Sequence, residues 1–564
     1  MIACSQLAGG AWYHTRLVCS KYRCGAWTWP SKKRRFRIIK LCTRSQCKVH
    51  SVEHLRNSCL SHPCCRKRRK ATLVLCCRKL RKPFQTPVPP RYHAVISGSP
   101  ETFGSALNEL DLLDTTETIN YHLEHELRTA PVFTRSSLLH AGIPKPETQY
   151  GVLGQQLSIH QGDDTGGPDD TDSRLYVNTN APFSALVCGV QGSGKSHTVS
   201  VLLENMFYPN YSTIGLLTKP LSGLVLHFGT GGTTTLPCEA AWLASPTIES
   251  LVAPKVIVYV SPSSLRNMTN VYSRVGGKIN VRPLEFCDTD LDAEALMTLM
   301  GLSGGERTPL YVQIIIQILR DLGEQYSYAA FKQELEKKKK HFNPAQLSGL
   351  EQRMSLLESF IVYDQTRQSI FSQGELTIVD LTDPFIDPSI ACGLFEVVTR
   401  LFVRADVGSG KVLVVDEAHK YLNPNHGEAG LTKSLLELIR LQRHLAMRVI
   451  ISTQEPTVVP PMLLDLCNMS ILHRFSSPRW WEHIVKHVSA EASNDAFDKL
   501  VTLQTGQAIL FAPSGLLMIR NSNAQDSGSI CVPYKVPGQL GRRYMIMKTR
   551  KRITRDGGAS ILIV

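Results

Sequence analysis

The chain has 564 residues and a formal net charge of +15, enough length for one large or several ordinary domains. No apolar run reaches the roughly 18 residues that a membrane-spanning helix needs, and no 20–50-residue period marks a solenoid or propeller. The positive charge belongs to one end: residues 1–82 hold 21 Lys and Arg against a single acid, Glu53, which leaves 42 basic and 47 acidic residues in the remainder. By composition the body therefore carries no strong nucleic-acid footprint, although a local patch is compatible with it.

Residues 1–90 form a basic, Cys-rich extension that is expected to be disordered. Ten of the 16 cysteines lie in the first 77 residues, yet their spacing matches no C-x₂-C zinc pattern. No secretory signal is expected at the start, so a disulfide framework is not expected either. The runs SKKRRFR (31–37) and CRKRRK (65–70) fit nuclear-import signals or nucleic-acid tethers. A nuclear or cytoplasmic, in any case intracellular, location is expected, with a mitochondrial address as the alternative reading of an acid-poor N-terminus. Residues 91–174 read as an accessory region and linker. The prolines at 83, 87, 89, 90 and 100 break local structure, and residues 161–172 form a Gly- and Asp-rich loop.

Residues 175–530 read as one nucleotide-binding domain. Within it, residues 189–196 (GVQGSGKS) match G-x-x-x-x-G-K-[ST] at every fixed position. An apolar strand, ALVC at 185–188, precedes the loop and a helix start follows it, which is the context that the motif requires. Glycines let successive N–H groups converge on a phosphate, and the helix N-terminus adds free donors. Candidate nucleotide contacts are Gly189, Gln191, Gly192, Ser193, Gly194, Lys195, Ser196 and His197. Lys195 would reach the β- and γ-phosphates of ATP, and the Ser196 hydroxyl would ligate Mg²⁺.

Further strands are predicted near 223–228, 256–260, 376–381, 412–416, 447–453 and 469–473. The run KVLVV at 411–415 ends in Asp416-Glu417, as a buried parallel strand with acids at its ligand edge. Asp416 would hold the metal and Glu417 would polarise the attacking water; a helix cap with an acidic first turn is the plainer alternative. Gln454 ends the strand at 447–453, where an amide can sense the γ-phosphate or simply stand in a solvated loop. Asp380 and Asp383 read as cap or turn residues. A helical insertion is expected at about 300–365, its ELEKKKK run a solvated face, and residues 531–564 read as a C-terminal tail.

Taken together, residues 189–196, 376–381, VLVVDEAHKYL (412–422), LQRHLAMRVIISTQEP (441–456) and LQTGQAILF (503–511) resemble the HerA–FtsK superfamily of P-loop ATPases over about residues 175–520. The resemblance implies an α/β P-loop NTPase fold with an additional strand, a mainly parallel central sheet flanked by helices and a catalytic glutamate. It further implies homo-hexameric rings and ATP-driven movement of double-stranded DNA or protein. Carried across, Lys195 and Ser196 contact nucleotide and Mg²⁺, Asp416 is the metal-side acid, Glu417 the catalytic base and Gln454 the sensor. Arg443, followed by His444, stands where the superfamily carries an arginine that acts on a neighbour's ATP; a solvated cationic helix face is the alternative, and Arg474 is a second candidate. Two departures stand out. His227 ends the strand at 223–228 where an acid is usual, a change expected to leave the nucleotide chemistry intact and to bear on the substrate. No N-terminal β-barrel is evident before residue 180.

Overall fold

The computed structural model describes residues 2–6, 12–18, 23–30, 119–140, 149–161, 164–166, 172–229, 231–232, 235–299, 310–362, 370–422, 430–488, 494–520 and 535–558. The chain divides into two compact units, Met1–Leu110 and Asp111–Val564. In the first, β1 (Ile2–Gln6), β2 (Trp12–Val18) and β3 (Arg23–Pro30) pair antiparallel in that order. The sequence predicts no structure there; alternation such as Trp12, His14 and Arg16 against Tyr13, Thr15 and Leu17 is strand-like but too short to stand out. The two basic runs lie outside the described residues.

The second unit is built on one large sheet. Its strands are β4 (Val132–Thr134), β5 (Tyr150–Gln161), β6 (Asp164–Gly166), β7 (Arg174–Asn178), β8 (Ser184–Cys188), β9 (Gly215–Leu216), β10 (Ser222–His227), β11 (Lys255–Val260), β12 (Ile279–Pro283), β13 (Glu375–Asp380), β14 (Lys411–Val415), β15 (Met447–Thr453), β16 (Met469–His473), β17 (Gln507–Phe511), β18 (Leu516–Arg520), β19 (Lys535–Gln539) and β20 (Tyr544–Thr549). Eight of them run parallel in the order β12-β11-β13-β10-β14-β15-β8-β16. All seven strands predicted for the core are among these eight. The eighth, β12, escaped sequence reading because it is an edge strand whose INVRP alternates between half-buried and exposed positions.

Both faces of the parallel strands are covered, which is why they read as unbroken apolar runs. Side chains alternate between two cores. Leu413 and Val415 of β14, Val449 and Ile451 of β15, and Leu186 and Cys188 of β8 face one core, with Leu394, Phe395, Val398 and Phe402 of the helix Pro388–Arg404 and Leu435 and Ile439 of the helix Gly430–Leu441. Val412, Val414, Ile450, Ala185 and Val187 face the other, against Val199, Leu202, Leu203 and Met206 of the helix Lys195–Phe207. Each such buried aliphatic side chain contributes about 1.5–3 kcal/mol of transfer free energy.

The predicted insertion is helical: Leu310–Leu322, Tyr328–Lys338 and Pro344–Glu358. Ser327 caps the second helix through Ala330 N, and Asn343 with Gln346 forms a capping box on the third, which has Pro344 in its first turn. Val312, Ile315, Tyr328, Phe331 and Leu350 all join the first core, so the insertion is part of the packed body and not an appendage. Its lysine run is a solvated face, with Lys337 paired to Glu334, Lys339 to Glu336 and Lys338 to Asp321.

Beyond β16 the sheet turns antiparallel through β17, β20, β5, β7 and β4, and β18 joins β4 to β19. Before residue 180 the chain contributes β4 to β7 to this one sheet and not to a separate barrel. The long-range partners of these strands are hidden in the sequence, because β4 pairs with β18 and β5 with β20 across 383 or more positions. The same pairing overturns the reading of residues 531–564 as a tail: β20 lies between β17 and β5, and residues 550–554 dock on the helix Lys195–Phe207. No helix of the described residues is long and apolar enough to cross a membrane.

Candidate nucleotide site

The Gly-rich loop leaves β8 at the C-terminal edge of the parallel strands and opens into the helix Lys195–Phe207. Gly194 caps that helix at φ +113°, with no side-chain cap. Gly192 has φ +75°. These left-handed positions favour glycine. A Cβ on Gly194 would come within 3.0 Å of Gly506 N. The loop is held from several sides: Ser193 Oγ donates to Val190 O at 2.7 Å, Val190 N to Arg474 O at 3.2 Å and Gly506 N to Ser193 O at 3.2 Å. Lys195 is only 5% exposed. Ser196 is half-buried, while Gln191 and Gly192 form an exposed lip. With no cap side chain in place, the first-turn N–H groups of the helix are the donors that an anion would take. His197 stands apart from the others: its Nε2 bonds Arg550 O at 2.8 Å, so its ring braces the strand-end at Arg550.

β15 lies between β8 and β14. That is the additional strand, and it places Gln454 between the loop strand and the acidic strand. Glu417 has φ +49° and ψ +40°, a left-handed conformation that is costly for a residue with a Cβ and typical of sites where geometry is imposed. Gln454 Nε2 donates to both Glu417 oxygens, at 3.1 and 2.9 Å. Gln454 N donates to His419 Nδ1 at 3.4 Å, which leaves the His419 proton on Nε2, 3.3 Å from Glu417 Oε2. Burial, opposed by Glu417, keeps His419 below the usual histidine range and so neutral. Sequence reading paired Glu417 with Gln454 by role; the amide-to-carboxylate clamp and His419 are added by the structure.

Asp416 is held by its own set of bonds. Its N–H donates to Leu226 O at 3.0 Å, and Tyr421 OH donates to its carbonyl at 3.0 Å. His227 Nδ1 lies 3.0 Å from Asp416 Oδ2. Burial alone would raise the Asp416 carboxyl, but His227 and Lys195 beside it keep it below the ordinary carboxylate range. Burial likewise disfavours a charged His227, yet the Cys238 thiol, Asp380 and Asp416 around it lift it well above the usual range. His227, expected from the sequence to bear only on the substrate, lies directly against Asp416, the candidate metal-side acid. Asp380 and Asp383 are turn residues, as expected: Asp380 accepts from Thr382 N at 3.0 Å and Asp383 from Phe385 N at 2.8 Å.

The arginines divide by edge. Arg443 is exposed in the turn before β15, at the opposite end of the strands from Glu417 and Gln454, and is not brought into this chain's own site. Arg448 is buried and donates to Ala446, Thr179 and Asn180 carbonyls. Arg474 is exposed at the loop edge, its carbonyl bound by Val190.

One group escaped sequence reading altogether. His473 Nδ1 donates to Gln507 O at 3.0 Å, so its Nε2 accepts from Thr198 Oγ1 at 2.9 Å. Thr198 in turn accepts from Thr549 Oγ1 at 2.9 Å. Burial pushes His473 down to about 4. This chain of hydrogen bonds ties β16, the loop helix and β20 together under the loop.

The glycine loop after β8, the strand β15 beside it and the acid pair after β14 give the α/β fold of a P-loop NTPase, with a candidate nucleotide site at the C-terminal sheet edge. No family model matches the sequence, and no curated protein matches it. Among solved structures, the chain is similar to VirB4 of Thermoanaerobacter pseudethanolicus, with 13% identity over 71% of this chain and 96% of that one and a TM-score of 0.39. It is also similar to the genome packaging NTPase B204 of Sulfolobus turreted icosahedral virus 2 in complex with AMPPCP, with 12% identity over 59% and 92% of the two chains and a TM-score of 0.25. A third is the bacterial conjugative coupling protein TrwBdeltaN70, with 10% identity over 66% and 87% and a TM-score of 0.34.

The donor set fits Mg²⁺–ATP: Ser196 and Asp416 offer hard oxygen ligands, and Lys195 with the helix N-terminus offers a phosphate cradle.

Proposed function

We propose that this chain hydrolyses ATP and works as a ring-forming motor on double-stranded DNA. The observation that carries the reading is the meeting of Lys195, Asp416, Glu417 and Gln454 at one sheet edge, with the Gln454 amide clamped on Glu417. Phosphoryl transfer to water needs positioning, charge neutralisation and one base. Bound Mg²⁺ would supply neutralisation at the phosphate oxygens. Lys195 holds the β- and γ-phosphates, Glu417 takes the proton of the attacking water, and Gln454 orients Glu417 against the γ-phosphate. Arg443, remote from its own site, is the residue offered to a neighbouring copy in a homo-hexamer, and exposed Arg474 is the alternative.

The test is ATP turnover of the full chain with and without double-stranded DNA, beside Lys195→Ala and Glu417→Gln. DNA-stimulated turnover that Glu417→Gln lowers by about 10²–10⁴-fold, and that Lys195→Ala abolishes together with nucleotide binding, is the expected result. Turnover indifferent to DNA but lost in both variants would replace the motor by a nucleotide-operated switch, a reading that the slightly acidic body favours. Turnover that survives Glu417→Gln would remove the catalytic assignment.

A further inference from the structure

We propose that His227, Cys238 and Asp416 form a binding site for a thiophilic divalent ion of the zinc type, set beside the nucleotide site and able to switch it off. Each residue offers one ligand atom, and these atoms lie within 4.8 Å of one another. The three come from separate places: the end of β10, the residue before the short helix Glu239–Ala244, and the residue after β14. Among the described residues this is the one group of three or more His, Cys, Asp or Glu side chains so arranged.

Imidazole, thiolate and carboxylate together are the ligand types of zinc. A thiolate selects against Mg²⁺, which takes hard oxygen donors. The surroundings are built for such a site. Cys238 is 1% exposed, and its backbone N–H donates to Tyr272 OH at 3.2 Å. Tyr272 OH then donates to Asp380 Oδ2 at 2.6 Å. The thiol is thus carried by a backbone fixed through a buried second layer, the kind of support that orients metal ligands. Asp416 lies 3.0 Å from the His227 imidazole, and Asp380 is the register partner of His227 on the neighbouring strand, so two acids stand about one imidazole. In the metal-free protein the imidazole proton between His227 and Asp416 takes this place; an ion would displace it and the thiol proton.

The regulatory half rests on the reading of Asp416 as the metal-side acid of the ATP site. An ion that engages Asp416 withdraws that carboxylate from the Mg²⁺ of the nucleotide, and turnover stops without loss of phosphate-loop binding.

The experiment uses the full chain. Co²⁺ is titrated into wild type, Cys238→Ser and His227→Gln, with bound equivalents and the thiolate-to-cobalt charge-transfer absorption recorded. Wild type is expected to bind one more equivalent than either variant, with the extra charge-transfer intensity lost in both, and Zn²⁺ should displace that equivalent. Subtraction between full-length proteins cancels ions held by the cysteines of the first 77 residues. Thermal melts check folding, and His227→Gln decides the question if Cys238→Ser does not fold. Equal stoichiometry and equal spectra in all three proteins would overturn the site. In parallel, Zn²⁺ should suppress Mg²⁺–ATP turnover of wild type at concentrations that Cys238→Ser resists; equal inhibition would overturn the switch. If wild type shows no turnover at all, the ATPase reading fails while the cobalt difference still decides the site.

Discussion

Glu204 lies in the loop helix and is fully buried. Its Oε2 accepts from Arg550 Nη1 at 2.7 Å. Its Oε1 accepts from Ile553 N and Thr554 N, each at 3.0 Å, and from Thr554 Oγ1 at 2.7 Å. One carboxylate therefore ties residues 550–554 to the helix that begins at Lys195. Glu204→Gln preserves the shape and the three neutral bonds at Oε1. It replaces Oε2 with an NH₂ group that confronts the guanidinium donor to donor. The lost charge-assisted bond alone is worth about 1.5–3 kcal/mol. Arg550, left with Val152 O, Lys551 O and Asn205 Oδ1 as partners, becomes a buried cation without a counter-ion, which brings the expected cost to about 3–5 kcal/mol. Against an ordinary stability of about 5–15 kcal/mol, that is a large share. Urea unfolding of the full chain, followed by tryptophan fluorescence, measures it. Arg550→Gln added to Glu204→Gln should cost far less than the two single changes summed, because the second substitution removes the orphaned charge. A single-variant cost below about 1 kcal/mol, or strict additivity in the cycle, would refute the docking role.

Two further expectations concern the loop and its support. Gly194→Ala places a methyl 3.0 Å from Gly506 N, backbone against backbone, and should lower ATP-analogue affinity at least tenfold; Gly192→Ala meets nothing within 4 Å and should cost only the left-handed strain of about 1–2 kcal/mol. Fluorescent-nucleotide titration separates the two, and equal losses would mean that strain and not collision governs the loop. His473 is neutral when folded, its pKa pushed to about 4 against an ordinary 6.5. Between those values the unfolded chain binds the proton that the folded one refuses, so stability is fully present above pH 6.5 and falls as pH drops toward 4, by about 3 kcal/mol in total. His473→Gln should flatten that part of the pH–stability curve measured by urea unfolding; an unchanged slope would show that His473 charges without cost.

The parallel strands, the phosphate loop and the two acids were legible because their signals are local. A buried parallel strand reads as a near-continuous apolar run, as VLVV (412–415) in β14 and VIVYV (256–260) in β11 do. A loop that wraps a phosphate needs glycine at fixed offsets, and its helix must follow at once. Gln454 and Glu417 could be named for the same reason, since each ends a strand at the ligand edge. Three things were not local. β12 alternates too weakly for its period to show. The antiparallel half of the sheet is sewn from β4–β7 and β18–β20, which no sequence window spans together. Most groups around the site come from elsewhere in the chain: His227 and Cys238 onto Asp416, and His473, Thr198 and Thr549 beneath the loop. Sequence by itself placed the phosphate-loop motif and the acid pair, because a loop that wraps a phosphate demands particular residues at particular spacings. Tertiary structure alone decided what tunes that chemistry, because a pKa, a charge pairing or a shared ion depends on distance in space, and the groups concerned stand up to hundreds of residues apart.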